Sequence, residues 1–197
     1  MSQPEHTFLF ADLVGYTALA EAEGDARAAA VAAALQRRVQ ALAADHQAEV
    51  VKAMGDAAML RCADPSAAIR FGLLLAAEVE SDPELPPVRV GIHSGPAIGN
   101  EGDWYGRAVN VASRLCSVAA GGEVLVSETT LAAAPQLQKV DVGERRLHWL
   151  KNVTEPVAAR AAAFNRTALR LSRITRWRGC PLGIGAGRHA PVVGAGQ

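Results

Sequence analysis

Cysteine is scarce in this chain, and its three copies, Cys62, Cys116 and Cys180, stand far apart. They form no metal-ligand spacing, and so scattered a set is read as the mark of a reducing compartment. An excess of one charge is also lacking. Twenty Lys and Arg balance twenty Asp and Glu, so overall charge points to neither nucleic acid nor a membrane surface as partner. No apolar run approaches the roughly 18–20 residues that span a bilayer. The opening MSQPEHTFLF has no charged stretch followed by a long apolar one, so it does not read as a secretory leader. A Walker-type G-x-x-x-x-G-K-[ST] loop is missing as well. These absences leave a cytoplasmic protein without a membrane span as the expectation. Apolar side chains are plentiful, at 50% of the 197 residues, enough for one domain with a substantial core.

The order of elements is legible. TFLFADL (7–13) is apolar on both parities, as a strand buried on both faces should be. In 24–46, Val31, Leu35, Val39 and Leu42 recur at helical spacing, with Asp25 as the expected N-cap. AEVVKAM and AAMLRCA flank Gly55-Asp56 as a hairpin. Asp64-Pro65 opens a second amphipathic helix (64–81), and PVRVGIHSG (87–95) is a fourth strand. This is the βαββαβ pattern of a ferredoxin-like core, an α+β fold. A loop (AIGNEGDWYG), a helix over 107–119, a short strand and helix, and a closing hairpin over 145–164 follow. The domain is expected over 5–164. Residues 165–197, rich in Arg and Gly, read as a weakly structured tail; GIGAG within it follows no strand and opens no helix, so it is no dinucleotide fingerprint.

In that topology the first and third strands are neighbours. Asp12, at the end of the first, and Asp56, in the hairpin turn, should therefore meet at one sheet edge. Two converging carboxylates repel unless a cation lies between them, and oxygen-only ligation favours Mg²⁺ or Mn²⁺ with phosphate oxygens completing the shell. Taken singly, either aspartate is more often a turn residue. After Asp12 come Leu13, Val14, Gly15, Tyr16 and Thr17, a strand-to-helix turn whose free N–H groups suit an anion. Asn110 and Arg114, four apart, share one helix face. They fit a ribose and a phosphate, or else an ordinary solvated stripe.

The motifs FADLVGYTALAE, VKAMGDAAML, VRVGIHSGP and GDWYGRAVNVASRL, in this order, together with LHWLKNVTEPV, resemble the catalytic domain of class III nucleotide cyclases, of the adenylate cyclase type. The resemblance implies that Asp12 and Asp56 bind two divalent cations, with the Leu13 carbonyl as a further ligand. Gly15, Tyr16 and Thr17 fall on the triphosphate-holding turn, Lys52 and Asp103 on the purine-selecting pair, Asn110 on the ribose-orienting position and Arg114 on the transition-state arginine. It implies a reaction in which the ribose 3′-hydroxyl of ATP attacks the α-phosphate, giving cyclic AMP and pyrophosphate. It also implies a homodimer whose two sites are shared between chains.

Some positions depart from the family pattern. Tyr16 stands where phenylalanine is usual, the loop 97–102 is short, Asn152 replaces a common glycine, and Val153 lies where some relatives have lysine, leaving Lys151 as the candidate for the C-terminal phosphate anchor. A guanylate cyclase is the nearest alternative, against Lys52 and Asp103; a catalytically inactive nucleotide-binding homologue is another, against the full set of site residues. The five histidines are scattered, and His93 reads as a packed strand residue.

Overall fold

Alternating and helical apolar patterns become elements in the expected order, with additions. The computed structural model describes residues 5–134 and 137–165. The core consists of β1 (Glu5–Leu13), α1 (Tyr16–Glu23), α2 (Asp25–Asp45), β2 (Ala48–Met54), β3 (Ala57–Cys62), α3 (Pro65–Glu80) and β4 (Val88–Pro96). The C-terminal half adds β5 (Ile98–Asn100), β6 (Asp103–Tyr105), α4 (Arg107–Val118), β7 (Val124–Ser127), α5 (Glu128–Ala132), β8 (Val140–Val142), β9 (Arg146–His148) and β10 (Val157–Phe164). The main sheet runs β2-β3-β1-β4-β7-β10-β8, with β9 also on β10. Its first four strands have the ferredoxin-like order, and β1 is antiparallel to both β3 and β4.

Side-chain alternation decides what covers each face. Leu9, Ala11 and Leu13 of β1 pack with Leu60, Val90 and Ile92 under α2 and α3. The α2 stripe Val31, Leu35, Val39 and Leu42 is buried there; each such side chain fully removed from water is worth about 1.5–3 kcal/mol. Asp64 caps α3, accepting from the Ser66 and Ala67 N–H groups, with Pro65 in the first turn where no N–H is missed. The opposite face carries Phe8 and Met59 under α4. Gly91 lets α4 sit directly on β4: a Cβ there would lie 2.1 Å from the Cys116 nitrogen and 2.6 Å from the Ala112 oxygen. The helix that holds Asn110 and Arg114 is thereby fixed to the strand beside β1.

Three sequence expectations shift. Gly24, not Asp25, is the N-cap of α2; Asp25 is its first helical residue, where a carboxylate still suits the helix dipole. The segment after β4 is not a plain loop but carries the β5–β6 hairpin. Its strands are three residues each and mostly exposed, too short and too open to show alternation. The short β8 is likewise absent from the sequence reading. The tail over 166–197 lies outside the described residues. Among the described residues no helix is long and apolar enough to cross a membrane.

Candidate active site

Asp12 and Asp56 converge as the topology requires. Asp12 pairs with Ala57 across β1–β3, and the Leu13 N–H donates to the Asp56 carbonyl at 3.2 Å. Burial pushes the Asp56 carboxyl up, its own backbone hydrogen bond opposes this, and the Asp12 charge pushes it up further. Two carboxylates that feel one another beside a backbone carbonyl are a hard oxygen set suited to Mg²⁺ or Mn²⁺. Among the described residues no third His, Cys, Asp or Glu joins them, so a cation would take its other ligands from phosphate and water.

Sequence reasoning missed Arg89. It stands directly across from Asp12 in the β1–β4 register. Its Nε and Nη2 donate to Asp12 Oδ2 at 2.7 and 2.5 Å, and its Nη1 donates to the Ser117 carbonyl at 2.9 Å. The guanidinium holds the carboxylate in one orientation at the sheet edge. A signal was present: an arginine between two valines at the start of the strand that the topology lays against β1.

Gly15 precedes α1 with φ +81°, a conformation that glycine adopts without strain. No side chain caps α1, so the first-turn N–H groups at Tyr16 and Thr17 are left for another acceptor.

Lys52 and Asp103 meet, although they lie 51 residues apart and on different sheets. Lys52 Nζ donates to Asp103 Oδ2 at 2.6 Å, and the Trp104 N–H donates to Asp103 Oδ1 at 2.8 Å. The Lys52 hydrogen bond is the main reason that the Asp103 carboxyl is held below its usual range. A bulge makes the meeting possible. Val50 pairs with Leu60, but Lys52 pairs with Met59, so Val51 is the extra residue. Without it Lys52 would face the α2–α3 side; with it both Val51 and Lys52 turn toward the α4 face.

Asn110 is exposed and Arg114 half-buried on α4, while Ala108, Val111, Ala112, Leu115 and Cys116 are buried. Neither Asn110 nor Arg114 has a side-chain hydrogen bond or ion pair among the described residues. A cleft of about 350 Å³ lined by His93, Arg107, Glu128 and Pro156 opens elsewhere, and none of the candidate residues lines it. His93 Nδ1 is hydrogen-bonded to Ser127 Oγ at 2.8 Å, the packed strand residue that was expected. Burial, and then the Arg107 charge, lower its pKa to about 4.

Residues 2–154 match the model of the adenylate and guanylate cyclase catalytic domain. A pH-sensitive adenylate cyclase of Mycobacterium tuberculosis is 38% identical over 154 residues, covering 74% of this chain and 38% of that protein. An adenylate cyclase of Streptomyces coelicolor is 35% identical over 59% of this chain and 31% of its own length. The chain therefore spans only about a third of the length of these curated relatives. Among solved structures, adenylate cyclases of Trypanosoma brucei, described in their monomeric state, superpose with TM-score 0.72 at 26% identity, covering 82% of this chain and 92% of that one. A guanylyl cyclase superposes with the same TM-score at 22% identity, a likeness of fold alone.

Proposed function

The chain belongs to the adenylate and guanylate cyclase catalytic domain family, and from that premise we propose that it is an adenylate cyclase, converting ATP to 3′,5′-cyclic AMP and pyrophosphate. The observation that carries the choice of base is the Lys52–Asp103 pair. A lysine donor beside a carboxylate acceptor complements adenine, whose N1 accepts and whose 6-amino group donates. Guanine presents the reverse, an N1–H donor and a 6-carbonyl acceptor. With Lys52 bonded to it, Asp103 stays ionised and acceptor-only, so it would meet the 6-carbonyl of guanine with repulsion.

The remaining roles follow from chemistry and place. Asp12, Asp56 and the Leu13 carbonyl would hold two divalent cations. When bound, such cations lower the pKa of the attacking hydroxyl and neutralise phosphate charge. Arg89 keeps the Asp12 carboxylate aimed at the sheet edge. The N–H groups at Gly15, Tyr16 and Thr17 receive triphosphate oxygens. Asn110 orients the ribose, and Arg114 stabilises the charge that grows on the α-phosphate as the 3′-oxygen bond forms and the bond to the β-phosphate breaks. The protein's contribution is mainly positioning and charge neutralisation.

Two copies of the chain complete the site. Among the described residues Asn110 and Arg114 have no side-chain hydrogen bond or ion pair, as expected of residues that serve a neighbouring chain's nucleotide. A homodimer with two equivalent shared sites satisfies both sets at once. The test is direct: incubate the purified chain with ATP or GTP and Mn²⁺ or Mg²⁺, and identify the product. Cyclic AMP from ATP is expected. Cyclic GMP as the main product would make it a guanylate cyclase, and no cyclic product under any condition would leave a nucleotide-binding homologue.

A further inference from the structure

Asp103 is not on the main sheet. The β5–β6 hairpin that carries it pairs only with itself among the described residues, while Lys52 is on β2. Their spacing therefore depends on how side chains fasten the hairpin. Trp104, the neighbour of Asp103, is the fastening. Its indole lies against His6, with ring centroids 4.3 Å apart, and against Phe8 at 5.8 Å. Across the hairpin Gly99 leaves it room; a Cβ there would approach the ring to 3.3 Å. Over the indole lies the Arg61 guanidinium, 4.8 Å from the ring centroid.

Arg61 is itself gripped from two sides. Its Nε donates to Glu49 Oε2 at 2.7 Å, and its Nη1 is hydrogen-bonded to His6 Nδ1 at 3.2 Å. The register explains the grip: Glu49, Arg61 and Phe8 stand side by side on β2, β3 and β1. A charged row on the main sheet thus ends on the face of an aromatic ring that anchors the hairpin, and the backbone N–H of that same residue, Trp104, donates to Asp103 Oδ1.

We propose that Glu49, Arg61 and Trp104 form a clamp that positions Asp103 against Lys52, making Arg61 and Trp104 positioning residues for base selection. The inference rests on the adenine-reading role of Lys52 and Asp103. Cation–π contacts of this kind are worth about 3–30-fold in an equilibrium constant, so loosening the clamp should reduce preference rather than abolish turnover.

The experiment uses the full chain with Arg61→Met, which keeps the apolar stem and removes the guanidinium. Trp104→Phe is the conservative variant, Trp104→Ala the severe one, and Asp103→Asn the control. Two readouts are taken: amide hydrogen exchange over 98–105, and kcat and KM with ATP and GTP. Arg61→Met should speed hairpin exchange by about 3–30-fold, raise KM for ATP by a similar factor with a smaller effect on kcat, and narrow the ATP-over-GTP preference. Trp104→Ala should do the same more strongly, and Trp104→Phe should restore most of the difference. Unchanged hairpin exchange in Arg61→Met overturns the clamp. Faster exchange with unaltered base preference, while Asp103→Asn does alter it, overturns the positioning role. If Asp103→Asn itself leaves KM and preference unmoved, the base-reading assignment fails, and the clamp falls with it as a selectivity device.

Discussion

The two central strands β1 and β4 carry a polar pair at each end, and the pairs are built differently. At one end Asp12 faces Arg89, side chains 24% and 29% exposed. At the other Thr7 faces Ser94, and both are buried. From there a chain of hydroxyls runs on: Thr7 to Ser94 at 2.8 Å, Ser94 to Thr130 at 3.0 Å, Thr130 to Ser127 at 3.0 Å and Ser127 to His93 at 2.8 Å. Ser94 donates its hydrogen to Thr130, so Thr7 must donate to Ser94; the Thr130–Ser127 and Ser127–His93 bonds can run in either direction. Each hydroxyl in this chain is satisfied by neutral partners. The charged end is the opposite case: a partly exposed carboxylate held by a guanidinium. The proposed chemistry lies at the charged end, and the neutral chain serves stability.

The largest effects should separate the two ends. Asp12→Ala or Asp56→Ala should lower cyclase turnover by about 10³-fold or more. Loss of the partly exposed Asp12–Arg89 pair should change folding stability by only about 1 kcal/mol. Turnover with ATP and urea unfolding of the same samples decide it. Either variant retaining full turnover under saturating ATP and metal would remove the aspartates from the site.

A mixing experiment sharpens the charged end further. Asp12→Ala lacks a metal ligand but keeps Asn110 and Arg114; Arg114→Ala has the reverse defect, a loss of about 10³–10⁵ in rate by comparison with other phosphoryl-transfer arginines. Each homodimer should be nearly inactive. In a mixed dimer one interface joins both intact halves. Half of a random mixture is mixed dimer with one working site, so about a quarter of wild-type activity should return. Tagged heterodimers that form yet stay inactive would show that the site is not shared between chains.

At the neutral end, Thr130→Val should act on stability alone. It keeps the shape but removes one buried hydrogen-bond partner from each of Ser94 and Ser127, at a cost of about 1–3 kcal/mol. Turnover per folded molecule should stay within about twofold. A variant as stable as the wild type, or one folded but inactive, would break the division between the ends.

Much of this was legible in the residues. The βαββαβ order and the meeting of Asp12 with Asp56 follow from apolar periodicity and one topological rule. The Asp64 cap and the buried α2 stripe follow from local chemistry. What escaped the reading depends on tertiary register. The bulge at Val51 turns Lys52 to the other face, and no local propensity marks an extra residue in VVKAM. Trp104 and Arg61 meet only because a three-residue strand folds back over β3. The Asp12–Arg89 contact needed the β1–β4 register and not merely their adjacency.

The smallest expected effect tests why the hydroxyl chain ends on a histidine. Burial and the Arg107 charge lower the His93 pKa from 6.5 to about 4. The sign follows: the folded state prefers neutral His93, so its contribution is fully present above pH 6.5 and is lost as pH falls toward about 4. The slope can reach about 1.4 kcal/mol per pH unit, or about 2 kcal/mol between pH 6.5 and 5. His93→Gln removes this titration and leaves every carboxylate in place, so effects common to both proteins cancel. The stability gap between wild type and His93→Gln, measured by urea unfolding, should therefore narrow by about 2 kcal/mol over that window. Parallel stability curves for wild type and His93→Gln would mean that His93 titrates alike in the folded and unfolded chains, and that burial and the Arg107 charge do not hold it neutral.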